Sequence, residues 1–413
     1  MSWREITLGD AIHVKHGFAF KSQYFSESGD HLVLTPGNFH GEGGFRLRPG
    51  KDRFYAGDIP EDYVLREGDL IVAMTEQGPG LLGSSALIPE GEKYLHNQRL
   101  GLIHDLHETI LCKQFLYYLF NTRSVRAQIS GSATGTKVKH TAPERIYRVK
   151  VTIPSEITEQ KKISAVLRAY DDLIENNRRR IQLLEQAARL LYKEWFVHLR
   201  FPGHEHVTIT DGVPEGWERR TAADVCTTFD DGDWIESKDQ GGQDFRLLQI
   251  SNIGNNNFVE TGNFRYITSE TFRRLRCNEV LPGDILISRM PKPIGRAWLV
   301  SEQPWRMITA VDVTIARPNP DIVDPFYYLH HLNSPTHIAR CEVRATGATR
   351  PRVSRKNLGA LPILEPPMSL QRAFGEIASL ANEQRNVLTR QNNSLIQARD
   401  LLLPRLMNGE VTV

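Results

Sequence analysis

Between Thr158 and His198 the chain carries neither proline nor glycine, and its apolar positions recur every three to four residues. One column reads Ile163, Tyr170, Asn177, Leu184, Leu191; a second reads Leu167, Ile174, Ile181, Ala188, Trp195. Both columns step by seven and interleave four then three, the spacing that seats one helix against another. The pattern predicts a helix spanning roughly 60 Å. A weaker version lies near the C-terminus, with columns Phe374, Ala381, Leu388, Leu395, Leu402 and Ile377, Gln384, Gln391, Ala398. Pro404 is expected to end or kink that helix near Leu403. Asn177, Gln384 and Gln391 fall in the seams, where polar residues fix register at a cost in stability. Each seam is too long for one small module to cover. The two helices are therefore expected to pack antiparallel on each other as a spacer, with a module at either end.

The remainder, residues 1–155 and 213–368, mixes short apolar runs with glycine and proline turns. It also repeats. Trp3 and Trp217 are offset by 214, and the turns Gly68-Asp69 and Gly283-Asp284, each feeding an apolar strand, by 215. Each strand then meets Gly and Pro, at Gly78-Pro79-Gly80 and at Pro291 to Gly295. Phe115-Leu116-Tyr117-Tyr118-Leu119 answers Pro325-Phe326-Tyr327-Tyr328-Leu329 at 210, Ala133-Thr134-Gly135 answers Ala345-Thr346-Gly347 at 212, and Gln160 answers Gln371 at 211. Ordered landmarks at so long a period mean duplicated domains rather than a solenoid. Lys113–Ser130 and Pro325–Cys341 are read as helices whose aromatic faces are core.

Length and composition fit this picture and narrow the function. At 413 residues the chain is long enough for two cores. It has no apolar run of membrane-spanning length and a polar N-terminus, so a cytoplasmic location without a membrane span is expected. The four cysteines, at 112, 226, 277 and 341, form no CxxC pair and read as thiols in a reducing compartment. Net charge is +2, so what matters is where the charge sits.

It sits in loops. After each aromatic helix comes a basic stretch around Ala-Thr-Gly. The first holds Thr134, Lys137, Lys139, His140, Arg145, Arg148 and Lys150; the second holds Arg340, Arg344, Thr346, Arg350, Arg352, Arg355 and Lys356. Arg46, Arg48, Lys51 and Arg53 add to the first copy, Arg289, Lys292 and Arg296 to the second. Hydroxyls and amides flanked by Arg and Lys suit phosphate contacts. The candidate DNA-binding set is therefore Arg46, Arg48, Lys51, Thr134, Lys137, Lys139, Arg289, Lys292, Arg296, Thr346, Arg350, Arg352, Arg355 and Lys356.

No catalytic motif accompanies this charge. There is no phosphate-cradling GxxxxGK[ST], no HExxH and no GxSxG. Asp324-Pro325-Phe326-Tyr327 approaches the short motif of nucleotide methyltransferases but lacks its second proline, and is read as a helix start. No catalytic or metal-ligating residue is assigned.

Several stretches resemble the specificity subunits of Type I restriction–modification enzymes. They are Trp3 to Asp10; Ile153-Pro154 with Glu159-Gln160-Lys161-Lys162-Ile163; Leu191 to Val197 with Phe201-Pro202-Gly203 and Pro214 to Glu218; and Leu402 to Glu410. The resemblance implies two target-recognition domains reading the halves of a split double-stranded DNA site. It further implies two docked adenine methyltransferase subunits, and restriction (translocase/nuclease) subunits joining the complex. S-adenosylmethionine, ATP and Mg would belong to those partners, with no cofactor in this chain. The second copy departs from the pattern, because Gln371 lacks the preceding Glu, which questions whether both junctions dock partners equally.

The expected architecture is α+β: two mixed α/β target-recognition domains joined by two long helices packed as an antiparallel coiled coil, pseudo-two-fold symmetric. The domains are expected at 1–155 and 201–368, the latter including a linker, with conserved helices at 156–200 and 369–413. The function expected is non-enzymatic recognition of a bipartite DNA site. Two alternatives stay open: a stand-alone methyltransferase or nuclease with its own reader, and a protein-binding adaptor.

Overall fold

The structure, a computed structural model, describes residues 2–48, 50–76 and 80–413. Gly78 and Pro79 of the first copy's turn lie outside the described residues. The fold is α+β and divides into two units, Met1–Asn177 with Arg390–Val413, and Arg178–Thr389.

In the first unit an antiparallel sheet has the spatial order Ile12–His16, Leu100–Leu106, Leu70–Ala73, Ser85–Leu87. The Leu70–Ala73 strand is buried at every position, as a run apolar on both faces requires. Its side chains alternate: Leu70 and Val72 enter one core, Ile71 and Ala73 another. The second unit repeats the sheet with Cys226–Asp231, Val313–Pro318, Ile285–Ser288 and Ala297–Leu299. There Ile285 and Ile287 face one core and Leu286 the other. Each buried strand leaves a glycine turn. Gly68 and Gly283 have φ of +77° and +90°, a region that penalises a Cβ, and each N–H bonds a strand neighbour, Ile88 O or Val300 O. A smaller sheet follows in each unit, with one parallel pair: Leu32–Val33 beside Tyr94–Leu95, and Phe245–Leu248 beside Arg306–Thr309.

The aromatic helices are each two helices rather than one. Lys113–Phe120 stops before Arg123–Gly131, and Pro325–Leu332 before Pro335–Val343. A new N-cap makes each break: Thr122 accepts from Val125 N, and Ser334 from His337 N. Asp324 is a helix start as expected, its carboxylate accepting from Phe326 and Tyr327 N–H. Asn121 and Asn333 both end the first helix of the pair and accept from a sheet N–H, Ser85 at 3.1 Å and Ala297 at 2.9 Å. The true offset of these helices is thus 212 rather than 210. A run of aromatics disguised the two-residue shift.

Each module is closed by its first and last strands. Trp3–Thr7 pairs with Lys150–Pro154, and Glu218–Thr221 with Pro362–Glu365. The chain then passes into the long helices, Ile157–Tyr192 of 36 residues and Met368–Met407 of 40. Fully buried glutamines lock the first turn of each helix. Gln160 accepts from Cys112 N at 2.9 Å and donates to Ile110 O and Pro154 O at 3.0 Å each. Gln371 accepts from Asp324 N at 3.0 Å and donates to Ile322 O at 3.2 Å and Pro366 O at 2.8 Å. The absent Glu does not touch this clamp, since Glu159 instead pairs with Lys162. Replacing either glutamine with alanine strands three buried backbone groups and is expected to cost about 3 kcal/mol. That lowers the unit's Tm by about 6–12 °C. Scanning calorimetry of the full chain checks this, and a shift below about 2 °C would show the clamp to be incidental.

The first helix turns both columns its sequence predicts inward, burying Ile163, Leu167, Ile174, Asn177 and Ala188 and half-burying the rest. The second follows only one of them. Phe374, Leu388 and their column face inward, but Ile377 is 48 % exposed and Gln384, Gln391 and Ala398 also face outward. The actual partner column is Gln371, Ala378, Arg385, Asn392, Arg399, Leu406. Its polar members each find a partner inside their own unit. In the first unit Asn177 donates to Asn392 at 3.0 Å, Asn392 donates to Ile174 O, and Arg399 bonds Asp171 at 2.7 Å. In the second, Arg385 lies 3.9 Å from Glu185, and Phe374 meets Phe196 edge-on at 5.3 Å. These contacts run antiparallel in each unit. Pro404 does not end the second helix, which continues to Met407.

Candidate nucleic-acid interface

The basic loops occupy the same backbone frame in both units. The buried central strand emerges as Met74 in one and Arg289 in the other. Met74 N–H donates to Arg99 O at 3.0 Å, and its carbonyl accepts from Thr141 N at 2.9 Å. Arg289 N–H donates to Asp312 O at 3.0 Å, and its carbonyl accepts from Val353 N at 3.2 Å. One side of this frame is a tight turn, Asn97–Leu100 or Ala310–Val313, closed by a 2.9 Å bond. The other is a loop, Thr134–His140 or Thr346–Arg352, closed by two reciprocal backbone bonds of 2.8–2.9 Å. Sequence spacing alone predicted this pair of loops, and the backbone bonds give them one geometry.

In the first unit the loop is exposed and cationic. Lys137 extends without a partner among the described residues, and Lys139 bonds Ser130 Oγ at 3.3 Å. Thr134 Oγ1 accepts from Arg145 at 3.2 Å, and His140 Nδ1 lies 3.2 Å from Thr75 Oγ1. The nearby acid, Glu76, is buried, its Oε2 accepting from Gly80, Leu81 and Leu82 N–H. Arg46, Arg48 and Lys51 are not joined to this loop. Arg46 donates to Gly37 O, Arg48 pairs with Asp52, and Lys51 lies exposed on the same separate turn.

The second unit is a mixed charge network. Thr346, Arg350 and Lys356 are exposed, the two cations without a partner among the described residues. Arg352 pairs with Asp312 at 3.0 Å, Arg355 with Asp230 at 2.5 Å, and Lys292 with Glu342 at 3.2 Å. Arg289 and Arg296 correct the sequence reading, because both are buried. Arg289 is 1 % exposed, bonded to Val311 O and paired with Asp231 at 3.0 Å. Arg296 donates to four backbone carbonyls, of Ile250, Ile253, Pro291 and Pro293. Burial lowers the pKa of both guanidinium groups. Five fork-like donors satisfy loop carbonyls that a strand cannot reach, so these arginines hold the loops together instead of facing a ligand.

Sequence reasoning missed the turn at 97–100 and its acidic counterpart at 310–313. Neither holds a basic cluster. Only the shared frame, at an offset of 213, brings them beside the loops. All four cysteines are free thiols. No described helix is long and apolar enough to cross a membrane.

Comparisons with known proteins agree on one family. Residues 1–186 match the Type I restriction modification DNA specificity domain. The chain is 24 % identical to the Type I restriction enzyme EcoBI specificity subunit of Escherichia coli, over 100 % of this chain and 86 % of that one. It is 22 % identical to the HindI specificity subunit of Haemophilus influenzae, over 99 % of each. Among solved structures it is similar to the S subunit of a Type I restriction–modification system from M. genitalium. There the TM-score is 0.60 at 18 % identity, covering 98 % of this chain and 96 % of that chain, which shows the shared fold.

Proposed function

We infer that this chain, which belongs to the family of Type I restriction–modification specificity subunits, is the DNA-recognition subunit of such a complex and leaves the chemistry to its partners. One observation carries the reading: the same exposed, bridge-closed cationic loop stands on the same frame in both units. Phosphate contacts position a protein on DNA and supply salt-dependent affinity, whereas base edges specify sequence. Two such loops on two units with different neighbouring side chains suit a bipartite site with two different halves. The long helices, about 54 and 60 Å at 1.5 Å per residue, are suited to set the gap.

Partner docking has its own support. In the second unit the first long helix and the π-helical turn Lys193–Val197 that extends it leave Leu183, Leu190 and Val197 exposed at seven-residue steps, 63 %, 60 % and 49 %. The second helix leaves Ile377 and Leu380 exposed. A heptad-spaced apolar stripe facing solvent is a partner surface rather than a core. Two adenine methyltransferase subunits are its proposed occupants, with restriction subunits joining the complex in the cytoplasm. S-adenosylmethionine, ATP and magnesium are assigned to those partners.

The deciding experiment maps methylated adenines in DNA from a host with and without this gene. A two-part motif that disappears with the gene is expected. A contiguous motif would overturn the bipartite reading, and calorimetric binding of S-adenosylmethionine to the isolated chain would overturn the division of labour.

A further inference from the structure

The two turns beside the basic loops share a scaffold and differ at their tips. In the first unit Gly17 lies so close to Asn97 that a Cβ there would stand 2.0 Å from its carbonyl oxygen. Phe18 N–H donates to His96 O and Gln98 N–H to Phe18 O, at 2.8 and 3.0 Å, and Leu100 N–H closes the turn on Asn97 O. In the second unit Gly232 approaches Ala310 in the same way, with a Cβ 2.3 Å from its oxygen, and Val313 N–H closes on Ala310 O. The backbone is pinned in both. The tips are Gln98 and Arg99 in one unit, Val311 and Asp312 in the other.

A tip that only held phosphate would keep its cation in both copies, as the loops do. Here an exposed arginine is replaced by an aspartate that pairs with Arg352. The guanidinium of Arg99 and the amide of Gln98 are exposed and without a partner among the described residues. Met74 bonds both Arg99 O and Thr141 N, which fixes the tip beside the end of the basic loop. These are the two side chains best shaped for base edges: arginine grips guanine O6 and N7 with two bonds, glutamine grips adenine N6 and N7. A pinned backbone fixes where both side chains begin.

We propose that the Asn97–Leu100 turn is the base-reading element of the first unit, with Arg99 selecting a guanine and Gln98 a neighbouring adenine in the major groove. The divergence at 311–312 then gives the second unit a different half-site, read by an apolar Val311 and by Arg352 held on Asp312. This inference rests on the DNA-recognition reading above, and its test separates the two.

The full chain, co-expressed with its methyltransferase partner, is compared with R99K and R99A by mapping methylated adenines genome-wide. Lysine keeps the charge but loses the fork. Both variants are expected to lose selection for one guanine in one half-site, by about 10- to 100-fold, while the other half-site persists and reports an intact fold. R99K retaining the wild-type motif overturns the proposal, because charge alone then suffices. Loss of all methylation in R99K overturns it too, because the side chain then does more than read one base. A wild-type map with no two-part motif sinks the recognition reading itself. A wild-type two-part motif left intact by R99K sinks only the assignment of Arg99.

Discussion

Replacing Lys137, Lys139, Arg350 and Lys356 together with alanine lowers the affinity of the assembled complex for DNA by about three orders of magnitude at 0.15 M salt. The figure follows from counterion release. Each phosphate neutralised contributes about 0.9 to the slope of log K against log salt, so four contacts flatten it by about 3.6. None of the four has an ion pair among the described residues. Apart from the 3.3 Å bond from Lys139 to Ser130 Oγ, nothing internal must be broken before they meet a phosphate, and no ion pair is lost when they are removed. Arg352 and Arg355 are already engaged with Asp312 and Asp230, so their removal has a smaller effect on the slope. Arg296→Ala makes the contrast sharper. It strands four loop carbonyls and destabilises the second unit without changing the slope of what remains folded. Fluorescence anisotropy over a salt series reads both quantities. An unchanged slope in the quadruple variant would return the loops to solvated surface and favour a protein-binding adaptor.

Mild acid opens the second unit before the first. Its short helix pair buries His330, His331 and His337, all less than one-tenth exposed. His330 Nδ1–H donates to Phe326 O at 2.9 Å, and neither nitrogen of His337 has a hydrogen-bond partner among the described residues. Burial pushes His330 down to about 4, His337 to about 3 and His331 well below the usual imidazole range. The folded state therefore holds them neutral, whereas the unfolded chain takes up protons near pH 6.5. Stability is complete above about pH 6.5 and is lost as pH falls toward the depressed values. At pH 5 His330 and His337 each cost about 2 kcal/mol, and His331 adds to the loss in the same direction. Asp233, pushed up to about 6 by burial, acts in the opposite direction and offsets about 1 kcal/mol. Among the described residues of the first unit the comparable group is His96, pushed down to about 4, at a loss of about 2 kcal/mol. Hydrogen exchange at pH 7 and pH 5, corrected for intrinsic rates, should show protection falling first in residues 325–343. Equal loss in both units would contradict the assignment.

Much of this molecule is legible in its sequence, but unevenly. The first long helix is read correctly at both columns because its seam is apolar apart from Asn177. The second is read correctly at one column only. Its true seam runs through Arg385, Asn392 and Arg399, and a search for apolar spacing passes over these for Ile377 and Ala398. The same limit acts on the charged candidates. Lys137 and Arg350 are exposed as expected, while Arg289 and Arg296 are structural. An arginine's role depends on whether carbonyls or carboxylates lie within reach, and several of those come from far along the chain, such as Ile253 for Arg296 and Asp231 for Arg289.

What the sequence by itself determines is whatever period and order can carry: the duplication, the strand and turn chemistry at Gly68 and Gly283, a pair of long helices, and two basic loops. These are local properties, set by side-chain periodicity and backbone preference within a few residues. What only the tertiary structure decides is which polar side chains find partners. Asn392 is drawn into a seam by Asn177, Gln160 and Gln371 into clamps by orphaned backbone groups, and Arg99 to an exposed tip by a turn that Gly17 pins. A buried polar group left unbonded is costly, and the partners that satisfy these lie largely across the fold rather than along the chain.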